Sequence, residues 1–359
     1  MIGQTAPDWP STRAGWAPPT RADRGFEQAD RWAIPVIDTP TCLLGRFVPQ
    51  AGEYVAAISL SNHRRVSRYR AVIVAAICHP GPDIGRLNTM PSISWNQEVW
   101  GQQYAWDKGG EEWSKRWGGS LSQWRSCIWP RIAAFLPAAS IVEIAPGYGR
   151  WTHYLLPHCE TYTGIDLSER CVDICRERFA GTAARFAVGD GRSLPEVPDG
   201  STDFVFSFDS LVHCEADVIA DYLREIGRVL TAGGAAFIHH SNLGRYRASA
   251  RVRDAGGSLA ARLPARKDIL RVSGVLDWDH RRGRSVTAGR FAQMARDAGL
   301  SCISQEIITW NNSLLTDCFS AVTRPGSRWD RVPVVSVNRL FLPAARSAGA
   351  AARAFPQVP

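Results

Sequence analysis

The stretch Ile141–Asp166, IVEIAPGYGRWTHYLLPHCETYTGID, constrains this chain more than any other. It opens with the buried-strand pattern Ile141, Val142, Ile144 and turns on Pro146-Gly147-Tyr148-Gly149. A helical pattern follows from Trp151 to Leu156, and then a second apolar strand that stops at Asp166. A strand, a glycine turn, a helix and a strand ending in a carboxylate make one nucleotide-binding βαβ half. The glycines let the backbone approach a ligand, the helix start offers unpaired N–H groups, and the acid takes ribose hydroxyls. The pattern predicts an α/β fold. Its spacing also discriminates between cofactors. A dinucleotide fingerprint G-x-G-x-x-G laid on position 145 needs glycine at 145, 147 and 150, where the chain has Ala145, Gly147 and Arg150.

The pattern E-x-[GA]-x-G-x-G fits at every position, with Glu143 leading Ala145, Gly147 and Gly149. Later landmarks come in a matching order. A third strand, Ala184–Val188, ends at Gly189-Asp190-Gly191, and a fourth spans Asp203–Ser207. A helix over Ala216–Leu230 leads through the Thr231–Gly234 turn into a fifth strand, Ala235–His239. Cys302–Trp310 and Asp317–Thr323 read as an antiparallel hairpin. On these residues the chain resembles class I S-adenosylmethionine (SAM) methyltransferases, over roughly residues 92–325. The resemblance implies an α/β, Rossmann-like sheet of seven strands with SAM as cofactor. Carried over residue by residue, it implies that Glu143, Ala145, Gly147 and Gly149 line the methionine end and that Asp166 takes the ribose. Asp190 and Gly191 border the adenine, and Leu167 and Phe208 complete the cofactor set. Ala145 departs from the more usual glycine, and its methyl group is expected to narrow the pocket slightly.

Methyl transfer is an in-line displacement at a sulfonium, so the protein must align the acceptor and take its proton. Groups for that task are expected at the carboxyl ends of strands four and five. There the chain offers Asp209, His213, Glu215 and the run His239-His240-Ser241-Asn242. Histidine titrates near ~6.5 and serves as a base at neutral pH. His213 is the expected base, with Asp209 and Glu215 to orient it; the competing reading makes it a wall of the cofactor pocket. Strand alternation sends His239 and His240 to opposite faces, so at most one is catalytic; His240 is taken as the candidate. Asp209, His240 and Asn242 also resemble part of the magnesium site of catechol-type methyltransferases. The acid expected after strand five is missing there, so no metal is expected to be required.

The flanks are less regular. Residues 1–89 are proline-punctuated, with strand-like runs only at Tyr54–Leu60 and Val72–Ile77, and predict a loose extension or a small β-unit. Residues 90–137 carry seven of the fourteen tryptophans: Trp95, Trp100, Trp106, Trp113, Trp117, Trp124 and Trp129. Glycine pairs at 109–110 and 118–119 predict short broken helices, either a brace on the sheet or a helical lid over the site. Trp117, Arg150 and Asn242 are the expected acceptor contacts. Residues 243–285 are arginine-rich and read as an insertion after strand five. The methyltransferase domain is placed at 138–325, and 326–359 is expected to be a loose tail.

Composition excludes several classes. No apolar run reaches the ~18 residues of a membrane helix, and the first residues lack a basic-then-apolar pattern, so no signal peptide is expected. The nine cysteines contain no C-x-x-C pair, and Cys171 and Cys175 lie on one face of a helix pattern. Free thiols in a reducing cytoplasm are expected. The net charge of +8 comes almost wholly from arginine and reads mostly as a solvated surface. No [DNS]-P-P-[YFW] signature follows strand four, which argues against a nucleic-acid substrate. The runs SFDSLVHCEADV, FIHHSNLG and GEEWSKRWGG resemble bacterial methyltransferases of glycan and polysaccharide biosynthesis. The expected activity is therefore O-methylation of a saccharide or glycosylated metabolite, with a small-molecule or oligosaccharide partner. Homo-oligomers are compatible with this reading. An aromatic natural product as acceptor, or a methyltransferase-like binding subunit without catalysis, are the alternatives.

Overall fold

The computed structural model describes residues 91–246, 281–310 and 314–354. The expected extension at 1–89 and most of the arginine-rich insertion lie outside the described residues. Eight strands are described: β1 Ala138–Ile144, β2 Cys159–Asp166, β3 Ala184–Val188, β4 Thr202–Ser207, β5 Leu230–Ser241, β6 Ser301–Ile308, β7 Asp317–Thr323 and β8 Val334–Asn338. They form one sheet in the order β3-β2-β1-β4-β5-β7-β6-β8. The pairs from β3 to β5 are parallel, and β7 is antiparallel to both β5 and β6. The order reverses between β1 and β4, where an open α/β sheet leaves a crevice beyond the carboxyl ends of its strands.

Strand alternation sorts the side chains into two cores. On β4, Phe204 and Phe206 enter one cluster with Ile141, Phe237 and Phe319, while Val205 enters the other with Val142, Ile144 and Ile238. The described helices of ten or more residues are α1 Glu169–Arg178, α2 Ala216–Val229, α3 Ala288–Asp297 and α4 Phe341–Ala354. The apolar stripe of α2, Ile219, Leu223 and Ile226, packs with Phe291 and Ala295 of α3 on the Val205 face. The Ser168 and Thr287 hydroxyls cap α1 and α3 by accepting from Cys171 N–H and Arg290 N–H. No described helix is long and apolar enough to cross a membrane.

Two expectations are corrected. The sheet has eight strands rather than seven, because β8 adds parallel to β6 beyond the hairpin. The tail is not loose over its described part: it carries β8 and α4, and Phe341, Leu342 and Ala345 are buried in the Phe204 cluster. The tryptophan-rich segment packs in two places. Its helical turns break where Gly110, Gly118 and Gly119 take positive φ values of 91°, 83° and 113°. Trp117 and Trp124 are buried with Ile128 and Ile132 in the core, while Trp100, Trp106 and Trp113 stand at the carboxyl ends of β1 and β4.

Candidate active site

Beyond β1 the chain reverses through residues in the left-handed region: Ala145 at φ 57°, Gly147 at 59° and Gly149 at 76°. The two glycines are needed for different reasons. A Cβ on Gly147 would stand 2.7 Å from the Trp106 ring, which stacks on Tyr148 at 4.7 Å. A Cβ on Gly149 would stand 2.4 Å from Phe179, so this glycine seats the end of α1. At Ala145 the structure also shows a cost in the backbone: an L-residue at φ 57° is strained by about 1–2 kcal/mol.

Asp166, at the end of β2, holds the turn. Its carboxylate accepts from Gly147 N–H and Ser168 N–H, both at 2.9 Å. Burial raises this carboxyl above the ordinary aspartate range, and the backbone N–H groups oppose the rise. Glu143 is held against β2 and the helical turn at 152. It is buried and accepts from the Thr152 hydroxyl at 2.9 Å and from the Tyr162 hydroxyl. It braces β1 against β2 and the helical turn at 152. Asp190 closes its own loop, accepting from Arg192 N–H at 2.8 Å, Ser193 N–H at 2.7 Å and the Ser193 hydroxyl at 2.9 Å. A Cβ on Gly191 would touch Ile93 and Leu167 at 3.2 and 3.3 Å. These residues suit an adenosine end: Ile93, Leu167 and Gly191 make an apolar wall, and the buried acid Asp166 stands at the strand end beside it.

Across the crevice, Asp209 follows β4 with φ 65°, a left-handed conformation rare for a side chain other than glycine. Its Oδ2 pairs with Arg150 Nη2 at 2.6 Å. Burial would raise this carboxyl, but His239 and Arg150 overcome it and hold it down at about 2. Arg150 is itself buried; it stacks over Trp151 at 4.4 Å and Trp113 at 5.3 Å and donates to the Ser114 hydroxyl at 3.2 Å. It thus ties the tryptophan-rich segment to the sheet.

His213 lies half-buried in the crevice, its ring 5.0 Å from that of Trp100. Its Nδ1 lies 2.9 Å from the Arg281 carbonyl, so Nδ1 carries the hydrogen and the Nε2 lone pair is left to act. Burial pushes its pKa down to about 4, so the ring is neutral at pH 7. The expected orienters are elsewhere. Glu215 accepts from Arg284 N–H and Ser285 N–H at 2.9 Å, and Asp209 engages Arg150 and His239.

Four expected site residues are structural. His240 is fully buried on the far face, stacked on Phe291 at 4.0 Å and hydrogen-bonded to Ser320 Oγ at 2.8 Å. Asn242 is buried, accepting from Ala288 N–H and donating to the Leu315 carbonyl. Trp117 packs in the core edge-on to Trp310 and Phe341. Phe208 is buried between Trp151, His239 and Phe319. The suggested ligand set Asp209, His240 and Asn242 is therefore not brought together, and no group of three or more His, Cys, Asp or Glu among the described residues is placed to hold a metal.

The alternation that removes His240 brings in His239. It is fully buried, with Nδ1 facing Asp209 and Nε2 at 3.1 Å from Asp317 Oδ2. Burial disfavours a charged imidazole here, but the two carboxylates outweigh it and its pKa stands above the ordinary value. Asp317, at the start of β7, also accepts from Arg282 Nη2 at 2.7 Å and from Trp310 Nε1. The only sequence signal for this pair was the alternation along β5.

Residues 141–234 match the family described as "Methyltransferase domain". Together with the sheet order, the glycine turn and Asp166, this match defines a class I SAM-dependent methyltransferase domain, whose cofactor is S-adenosylmethionine. The chain is similar to a fatty-acid O-methyltransferase of Mycolicibacterium smegmatis, 34% identical over 97 residues, covering 26% of this chain and 34% of that one. It is similar also to a tRNA (carboxymethyluridine(34)-5-O)-methyltransferase of Mus musculus, 37% identical over 125 residues, covering 33% of this chain and 18% of that one. A phthiotriol/phenolphthiotriol dimycocerosates methyltransferase of Mycobacterium tuberculosis is 32% identical over 101 residues, covering 28% and 36%. The chain thus spans about a third or less of the length of these relatives. Among solved structures, an S-adenosylmethionine dependent methyltransferase from Mesorhizobium loti matches with TM-score 0.39 and 18% identity, covering 55% of this chain and 97% of that one.

Proposed function

We propose that the protein transfers a methyl group from SAM to a hydroxyl of a saccharide or glycosylated metabolite. The observation that carries this reading is the convergence on one crevice of the Gly147 turn, the His213 imidazole and the half-buried rings of Trp100 and Trp113. The cofactor supplies a methyl already activated on sulfur. The protein's part is to align the acceptor oxygen and receive its proton. Neutral His213 offers Nε2 for that proton, Asp209 offers a carboxylate that accepts the acceptor's O–H, and the indole faces suit a pyranose ring. The same rings would take an aryl acceptor, which is the second reading. A binding subunit without catalysis is the third.

Labelled SAM supplied with methyl glycosides, oligosaccharides, phenols and long-chain fatty acids tests the assignment. Label is expected on a saccharide hydroxyl; transfer confined to fatty-acid carboxyls or phenols overturns the saccharide reading, and SAM binding without transfer to any acceptor favours the inert one. His213→Ala is expected to lower kcat by roughly 10²–10⁴ with SAM affinity retained. Because the imidazole is neutral above about pH 4, the rate should be level from pH 6 to 8 as far as this group sets it. That replaces the inflection expected of an unperturbed histidine. Loss of SAM affinity with kcat preserved would make His213 a pocket wall.

A further inference from the structure

Five side chains from separated parts of the chain form one line: Arg282, Asp317, His239, Asp209 and Arg150. His239 and Asp317 are fully buried, Arg150 is 5% exposed, and Asp209 is the most open member at 26%. The line runs from the buried start of β7 to the loop after β4, where Asp209, its most open carboxylate, is held between His239 and Arg150. Its charges balance, with two guanidiniums against two carboxylates around the imidazole, as burial at this depth requires.

The contacts fix which way each group points. Asp317 takes Arg282, Trp310 and His239 Nε2 together, so the imidazole cannot turn. Nδ1 is thereby aimed at Asp209, 3.2 Å from its backbone N and 3.3 Å from its Oδ1. Neutral imidazole accepts the Asp209 N–H, and protonated imidazole donates to the carboxylate. Both bonds restrain a residue whose backbone is left-handed, a conformation that persists only when its surroundings over-determine it.

We propose that His239 is a positioning residue for methyl transfer: through Nδ1 it pins Asp209 in its left-handed conformation and so keeps the open carboxylate turned toward the acceptor. The proposal deepens the hydroxyl-acceptor reading given above and rests on it for the role of Asp209. His239 touches neither cofactor nor acceptor. It takes no proton in the reaction, and the base remains His213.

A pair of amides at position 239 separates positioning from mere filling of the core. Asparagine places its amide where Nδ1 stands, so it can accept from the Asp209 N–H or donate to its carboxylate. Glutamine places its amide near Nε2 and reaches Asp317 only. His239→Gln is expected to lower kcat by about 10²-fold, the weight of a misplaced reacting group. His239→Asn is expected to recover at least about tenfold of that loss, with SAM affinity in both variants within about threefold of wild type. An activity-independent reading comes from amide hydrogen exchange at residue 209, followed as pH is raised, since the neutral imidazole is the form that accepts the Asp209 N–H. The amide should be protected in wild type and His239→Asn, and should exchange at least about tenfold faster in His239→Gln. Asp317→Asn, which keeps the ring but frees it to turn, should also speed exchange at 209. Equal kcat in the Asn and Gln variants, or equal exchange at 209 in all four proteins, overturns the proposal. If wild type methylates no hydroxyl acceptor, the acceptor reading fails, while the exchange measurement still decides whether His239 holds Asp209.

Discussion

Glu143 gives the sharpest test of the fold's electrostatics, because it is a carboxyl sealed between β1, β2 and the helical turn at Thr152–Leu155. Burial pushes its pKa from 4.5 up to about 7, against the opposing hydroxyls of Tyr162 and Thr152. A carboxyl whose folded pKa is raised contributes most below its unfolded pKa and loses that contribution as pH rises through the folded value. The window is therefore pH 4.5 to about 7. At about 1.36 kcal/mol per tenfold change in proton affinity, ionising Glu143 in the folded state costs on the order of 3 kcal/mol. Glu143→Gln keeps the shape, and its amide oxygen accepts from both hydroxyls without a charge. Urea unfolding of both proteins from pH 5 to 8 isolates the effect, since other titrating groups cancel in the difference. The variant should gain on the wild type by on the order of 3 kcal/mol across the window and be the more stable protein at pH 8. A difference constant with pH to within about 0.5 kcal/mol would refute the argument, showing that Glu143 is either wetter or more strongly paired than its surroundings indicate.

Asp166→Asn, measured by calorimetry, should weaken SAM binding by on the order of 2–4 kcal/mol. It should also lower the melting temperature, because an amide cannot accept from both Gly147 N–H and Ser168 N–H with two oxygens; unchanged affinity in a folded variant removes the ribose assignment. Ala145→Gly should stabilise the protein by about 0.5–1 kcal/mol in chemical denaturation, since relief of the left-handed strain at φ 57° exceeds the added freedom of the unfolded chain. A loss of stability there would mean that the alanine methyl makes a packing contact worth more than the strain.

The legible part of this molecule was the part governed by period and turn chemistry. Ile141, Val142 and Ile144 read as a buried strand because parallel strands covered on both faces are apolar throughout. Asp166 and Asp190 were legible as strand ends. The helix breaks at Gly110 and Gly118 were legible because glycine is the residue that takes positive φ without strain. What failed was the step from position to partner. His240 and Asn242 stand where acceptor groups are expected, yet Ser320 and the Leu315 carbonyl, from a hairpin some 75 residues later, claim them. Glu143 matched a motif, but Thr152 and Tyr162 take its carboxylate. Trp117 could not be told from Trp113, since broken helices give no stripe from which to read a face. β8 was missed because its valines are exposed on both sides and carry no alternation between apolar and polar.

The sequence pattern of the methyltransferase domain stops near residue 325, an attractive place to end a shortened protein for crystallisation or engineering. The helix α4 makes that a poor choice. Its first residues bring Phe341 edge-on to Trp117, Trp310 and Phe319, and Arg131 reaches across the same ring at 5.1 Å. A protein cut at 325 would bare those aromatics together with the outer edge of β6, leaving an adhesive surface beside an unpaired strand. The boundary to respect in any trimmed or fused version is the end of α4, because the cofactor domain is roofed by residues that lie beyond its own recognisable pattern.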